Sequence, residues 1–405
     1  MRELIKYEFK KIWTQLTIVS VILLVVASTV LSFLFYITCS GSVTSDGTEV
    51  YGLKSFRAIK NESKDIKGVM NQEYLDNLVK KFNSSKEKQK FEDRLGDYLT
   101  KYKYSNYIIN FANYGLDMRS DMIGLDFDLV KSEKEFYSQY KKSVSDVIKD
   151  HNQRNNWFKY TDHQMNKINE KIDKLETPFK VDYHEGLKYF AMTYAEQYWI
   201  VFIPIGFALS SLFSKDSNNG IDELTLSSKF GRKKNMNARI ISGNIFAVVV
   251  YAIFIGTLLI ESGAVFSLHG WSTSIQTMYR TCLYNISTGT GILIMIFQGL
   301  LGILIVANLV MLISLKVKYS KLTTFISLFS IWTLIQLTHT ANSLQLQLNP
   351  IYFASHFISA GEFDIYYFIG NIMIPYSLAF IVIAFIYTLV IRILTLNQYN
   401  RYKLN

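Results

Sequence analysis

Six long apolar stretches lie between residues 16 and 394, and a block of about 155 mostly polar residues separates the first from the other five. A helix needs roughly 20 apolar residues to cross the hydrocarbon of a bilayer. The pattern therefore predicts an all-α integral membrane protein with six transmembrane helices. One large domain, between the first and second spans, stands outside the lipid. Segment 16–38 carries no charge over 23 residues, and fifteen of those are Leu, Ile, Val or Phe. Its insertion is worth roughly 5–8 kcal/mol. The other candidates are 196–213, 240–260, 289–315, 322–339 and 368–394, with Glu196 and Gln336 near the ends of the second and fifth. Segment 16–38 exceeds the apolar core of a signal peptide and no A-x-A site follows it, so it reads as an uncleaved helix.

The formal charge of +10 is a topology signal and excludes nucleic acid as the partner. Residues 39–195 hold 26 Lys/Arg against 24 Asp/Glu, close to neutral. Apart from Arg280, the remaining basic residues fall at 2–11, 215–239, 316–321 and 392–403. These clusters alternate with connections poor in Lys and Arg. The positive-inside rule then puts both termini in the cytoplasm and the large domain outside. A multi-pass protein of a bacterial cytoplasmic membrane is expected, its AT-rich source read from abundant Lys, Asn, Ile and Tyr beside 4 Pro. Two cysteines make no disulfide framework. Cys39 and Cys282 both fall near the outer surface, as two free thiols or one bridge.

Residues 1–15 form an amphipathic helix. Leu4, Ile5, Phe9, Ile12 and Trp13 recur at helical spacing, with Arg2, Lys6, Lys10 and Lys11 over the other side. Such a segment lies along the membrane interface, with Lys6, Lys10 and Lys11 at lipid phosphate and Trp13 at headgroup depth. The domain at 39–193 is mostly helical by its periodicity over 71–104 and 133–175, with Pro178 ending the second stretch and short strands or turns over 104–130. Tyr189, Tyr194, Tyr198 and Trp199 read either as an aromatic belt at the outer interface or as core.

Catalytic signatures are missing from the sequence. No H-E-x-x-H, C-x-x-C or G-x-S-x-G occurs, and the six histidines are scattered without metal-ligand spacing. Gly47 to Ser55 is one residue out of register for a phosphate loop. No catalytic, cofactor-binding or metal residue is expected on the chain. Within the spans, Gln298, Asn308, Gln336, His339 and Asn371 are the polar candidates and no Asp or Glu lies deep. That argues against an ion-coupled transporter and for interhelical hydrogen bonds. Gly289, Gly291, Gly299 and Gly302 point to close helix contact.

The loop after the second span is the most informative short segment. Phe213-Ser-Lys-Asp216 is followed by a polar turn to Gly220 and then by Ile221, Asp222, Glu223, Leu224, Thr225 and Leu226. Residues 221–228 could form two helical turns with their acids near the N-terminus, a natural docking element for another protein. The succession of an acid, Gly220, Glu223-Leu224, a Ser/Thr-rich turn and Arg232 resembles the ABC-2 type transporter permeases. The interfacial helix, the six spans and Leu348-Asn349-Pro350 before a short apolar segment add to the likeness, which covers about 250 residues of membrane part. Lys229 stands where the family often has Pro, and Asp216 where it often has Glu.

The resemblance implies a coupling loop at 214–239 that sits on a separate ATPase subunit through Asp216, Gly220, Ile221, Asp222, Glu223, Leu224, Leu226 and Arg232. It also implies an outer helical hairpin at 341–367 within the membrane part 194–395, and a cytoplasmic tail at 396–405. ATP and Mg would belong to the partner, and the chain would pair with a second permease copy or a paralogue to export a peptide, lipid or other amphipathic substrate. Three rivals stand beside that expectation: a membrane-anchored sensor whose outer domain binds a ligand, a membrane enzyme, and a permease with fewer spans that transmits motion outward.

Overall fold

The structure is a computed structural model and describes residues 1–39, 41–43, 49–52, 54–55, 67–77, 132–154, 159–220, 233–279, 281–317, 319–339, 349–356 and 366–400. Among the described residues, five helical segments, Gln15–Thr38, Glu185–Ser217, Lys234–Phe266, Thr288–Lys316 and Tyr376–Tyr399, are long and apolar enough to cross a membrane. The chain is mostly helical, with the architecture of a multi-pass membrane protein.

Helix α1 (Arg2–Ile12) is amphipathic and stops at Trp13. Thr14 then caps the next helix, its Oγ1 accepting from the Thr17 amide at 3.2 Å, while the Thr17 hydroxyl donates to the Ile12 carbonyl at 2.9 Å. These two bonds satisfy backbone groups that a break would otherwise orphan. Helix α2 (Gln15–Cys39) follows. Two short ribbon strands, β1 (Gly41–Val43) and β2 (Glu49–Tyr51), pair antiparallel beyond it.

The described part of the large domain is built on a helical hairpin, α3 (Glu133–Arg154) and α4 (Asp162–Asp173). The sequence periodicity over 133–175 runs through this break. Side-chain bonds from Lys141 to Asp173, Ser145 to Asn169 and Asn152 to Tyr160 show that the two helices are antiparallel. Strands β3 (Gly68–Val69) and β4 (Lys180–Val181) pair beside them. Their shared core contains Phe136, Tyr140, Val144, Ile148, Ile168, Ile172, Leu175 and Phe179. Most of 71–104 and all of 104–130 lie outside the described residues.

The second membrane segment enters as α5 (Glu185–Gln197), turns through a 3-10 stretch at Tyr198–Val201, and continues as α6 (Phe202–Ser210) and α7 (Ser214–Asn218). It is therefore longer than the apolar run 196–213. Pro204 falls in the first turn of α6, where its missing N–H is not needed. Tyr189, Tyr194 and Tyr198 are buried core and only Trp199, 41% exposed, faces outward. Helix α8 (Lys233–Phe266) also outruns its apolar stretch at both ends.

Helix α9 (Thr288–Lys316) is central, in contact with α5, α6 and α8 and with the later helices. Its glycines are there for close approach. A Cβ on Gly299 would stand 1.9 Å from the Tyr194 hydroxyl oxygen, and one on Gly302 would stand 2.5 Å from the Ala354 Cβ. Asn308 donates to the Asn244 side chain of α8 at 2.9 Å, an interhelical bond of the expected kind. Gln298 is fully buried with no hydrogen-bond partner among the described residues. Helix α10 (Ser320–His339) packs on α6 and α9 and is not among the five.

Of the outer hairpin expected at 341–367, only 349–356 and 366–367 lie within the described residues. A short helix, α11 (Pro350–His356), packs into the bundle and reaches Gly302, fourteen residues or about 21 Å into α9. Asn349 anchors it, donating to the Leu334 carbonyl at 2.7 Å. The predicted sixth span, 368–394, does not start where its apolar run starts. Residues Tyr366–Ile369 and Ile372–Pro375 form an antiparallel hairpin, β5 and β6, and α12 (Tyr376–Asn400) begins only after it. Gly370, at φ +60, takes the left-handed turn position, so Asn371 lies in a hairpin turn and not in a span. The hairpin joins the domain core through Tyr366, whose amide donates to the Tyr160 hydroxyl at 2.8 Å, and through His163, 3.1 Å from the Asn371 side chain. Cys282, in the α8–α9 connection, is a free buried thiol.

Candidate functional site

At the end of the bundle that carries α1, α7 and the start of α8, four charged side chains meet in a buried cluster. Asp216 of α7 is 2% exposed and accepts from Lys11 Nζ at 2.7 and 2.8 Å, one bond to each carboxylate oxygen. Its Oδ2 also accepts from Arg239 Nη2. Glu8 of α1 completes the set, its Oε2 standing 3.5 Å from Arg239 Nε without a hydrogen bond. Two acids and two bases leave the cluster neutral.

The surroundings explain how a guanidinium survives there. Arg239 Nη1 donates to the Leu212 carbonyl at 3.4 Å, and its plane lies 5.5 Å over the Phe213 ring. Phe213 in turn meets the Tyr399 ring of α12 at 6.5 Å. Aromatic contact and carbonyl bonding suit the weakly hydrated guanidinium better than they would an ammonium. The α6–α7 break that presents Asp216 is held by Ser314 of α9. Its hydroxyl accepts from the Phe213 and Ser214 amides at 3.0 and 3.3 Å and donates to the Ser210 carbonyl at 2.7 Å. Ser242 of α8 donates to the Ile5 carbonyl at 2.8 Å, a second tie between α1 and α8.

The cluster is arranged as a clamp. Asp216 lies four residues before Gly220 and Arg239 six residues after Lys233, so one ion pair fastens both flanks of the loop between them. Lys11 and Glu8 extend the tie to the N-terminal helix.

Of the residues that the sequence marked for partner coupling, Asp216 is turned inward and Gly220, at φ +70, is exposed with open space around it. Ile221, Asp222, Glu223, Leu224, Leu226 and Arg232 lie outside the described residues. Of those assigned to the membrane interface, Lys6 and Lys10 are exposed, while Lys11 turns to Asp216. Trp13 packs edge-on against Phe246 of α8 at 5.3 Å. Sequence reasoning missed Glu8, Arg239 and Ser314 as members of the site. One signal was available: Glu8 interrupts the apolar face that Ile5, Phe9 and Ile12 form, and a lone acid there needs a partner.

Among the described residues no group of three or more His, Cys, Asp or Glu is placed to hold a metal ion. No protein family matches this sequence, and neither a curated protein nor a solved structure is similar to it.

Proposed function

We propose that this chain is the membrane-spanning subunit of an ATP-driven exporter of the ABC-2 type. In this reading α10 is a sixth span, the clamp end faces the cytoplasm by the positive-inside rule, and the 39–193 domain is extracellular. A separate ATPase subunit carries ATP and Mg and docks on the loop 221–232. A second copy of the chain or a paralogue completes the transport path for a peptide, lipid or other amphipathic substrate.

The observation that carries the reading is the clamp. A docking loop can move a bundle only if its flanks are fastened to the elements that must move. Here both flanks are tied to each other, to the interfacial helix and, through Phe213 and Ser314, to α12 and α9. Force applied at the loop would then reach the spans as a rigid-body displacement.

Deleting 220–228 while leaving the clamp intact is expected to abolish co-purification of the ATPase without changing the elution volume of the protein in detergent. Full ATPase recovery by the deletion variant would reject the coupling role. A membrane-anchored sensor is the second reading, favoured by the hairpin that joins the domain core directly to α12. Ligand-dependent recruitment of a cytoplasmic partner other than an ATPase would select it.

A further inference from the structure

The β5–β6 hairpin has two faces, and one of them is covered only in part. Side chains alternate along a strand, and residues paired across two antiparallel strands share a face. The pairs Tyr366–Pro375 and Phe368–Met373 form the face turned to the domain, with Tyr366 buried in its core and Phe368 and Met373 packed against it. The pairs Tyr367–Ile374 and Ile369–Ile372 form the other face. Tyr367 packs on the core of the bundle and stacks at 6.3 Å on Tyr376, the first residue of α12. Ile369 and Ile372, at the turn end, are 68% and 67% exposed.

What covers the rest of the hairpin sets the direction of the bare isoleucines. One face lies on the domain and the other starts on the bundle, so the isoleucine pair looks away from the domain, on the side where the spans are. Asn371 in the turn reaches the opposite way, 3.1 Å from His163 of α4. Helix α12 follows β6 with no residue between them. Its 25 residues measure about 38 Å and overfill the roughly 30 Å of a bilayer core, which places its first turn at headgroup depth. Strand β6 has four residues, about 13 Å, so Ile372 lies no farther than that from the head of the span. Further along α12, Leu378, Ile381, Val382 and Phe385 are exposed at three- and four-residue spacing, a stripe that meets acyl chains in a spanning helix.

We propose that Ile369 and Ile372 insert into the lipid surface beside α12, which makes the hairpin a wedge that seats the domain on the membrane. Aliphatic side chains leave water favourably at the boundary between headgroups and acyl chains. No Lys, Arg, Asp or Glu occurs from 366 to 391, so hairpin and span form one uncharged stretch and insertion buries no charge. Tyr367 and Tyr376, stacked behind the pair, are of the residue type that concentrates at this depth. Lipid contact also gives a reason for the apolar run to continue past the helix into two strands. The wedge stands whether or not an ATPase drives the protein, and on whichever side of the membrane the domain lies.

The test is nitroxide labelling of the full-length protein in vesicles of phosphatidylcholine and phosphatidylglycerol. A Cys39→Ser background, in which the buried Cys282 is expected to take no label, receives Ile369→Cys or Ile372→Cys. Each label is read for collision with oxygen, which partitions into lipid, and with a nickel chelate, which stays in water. Phe385→Cys on α12 serves as the lipid reference and Lys171→Cys on the exposed side of α4 as the water reference. The ratio of oxygen to nickel accessibility at 369 and at 372 is expected to exceed that at Lys171→Cys severalfold and to approach that at Phe385→Cys. A ratio at either position no higher than at Lys171→Cys would overturn the insertion. So would spin–spin broadening at 369 or 372 that vanishes on dilution with unlabelled protein, which would place a second copy of the chain against the hairpin instead of lipid.

Discussion

Asp216 is almost wholly buried and accepts from two bases that differ sharply in exposure, Lys11 at 31% and Arg239 at 8%. Removing one partner of a buried pair leaves a charge uncompensated and costs about 3–5 kcal/mol, whereas exposed pairs contribute at most about 1 kcal/mol. Asp216→Ala is therefore expected to destabilise the protein by about 3 kcal/mol or more, and Lys11→Met by under about 1 kcal/mol. The double variant Asp216→Asn, Arg239→Met should recover most of the loss, because both charges leave together. Thermal midpoints in detergent decide this, and equal losses for Asp216→Ala and Lys11→Met would contradict the assignment of Arg239 as the partner that matters. Asp216 was legible as a site residue from its place before Gly220. Its inward orientation was not, because burial depends on α1 and α8, which the local sequence does not mention.

Among the elements, α9 and α11 show what small residues do in a bundle. Gly299 and Gly302 put the α9 backbone against Tyr194 and Ala354, and neither position has room for a methyl group. Gly299→Ala and Gly302→Ala are each expected to cost about 1–3 kcal/mol through overpacking. Gly256→Ala on α8, where nothing lies within 4 Å of the added atom, should instead stabilise by up to about 1 kcal/mol through helix propensity. Melting midpoints of the three variants test the contrast, and a loss at Gly256 as large as at Gly302 would refute it. The close-contact role of these glycines could be read from their spacing. The β5–β6 hairpin could not: 366–369 and 372–375 are apolar runs that merge with the following span, and short apolar runs do not distinguish strand from helix. Gly370-Asn371 was the one turn signal inside that run.

Across the whole molecule, the domain and the bundle are joined at several points. Ser274, in the α8–α9 connection, exchanges backbone and side-chain bonds with Lys180 of β4 at 2.9 Å, and Asn285 bonds to the Glu176 amide at 3.0 Å. Leu283 and Tyr366 belong to the domain's own core. The domain is thus seated on the ends of α8, α9 and α12 rather than tethered to them. The proposed topology makes a further prediction at this scale. In a background free of native cysteines, Asn371→Cys is expected to react with a membrane-impermeant thiol reagent on intact cells and Lys234→Cys is not. Labelling of both positions, or the reverse pattern, would invert the assignment of the clamp to the cytoplasm.

The sequence by itself determined that the chain is helical and multi-pass, and where most spans lie. Insertion is a sum over some 20 consecutive residues, so it is a local property that a linear reading can add up. Only the tertiary structure decided which polar groups meet. Lys11 and Asp216 are 205 residues apart, and Asp216 and Arg239 are 23 apart across a loop. Hydrogen bonds and ion pairs act over a few ångströms in space, and sequence separation carries no record of that distance until the helices have packed.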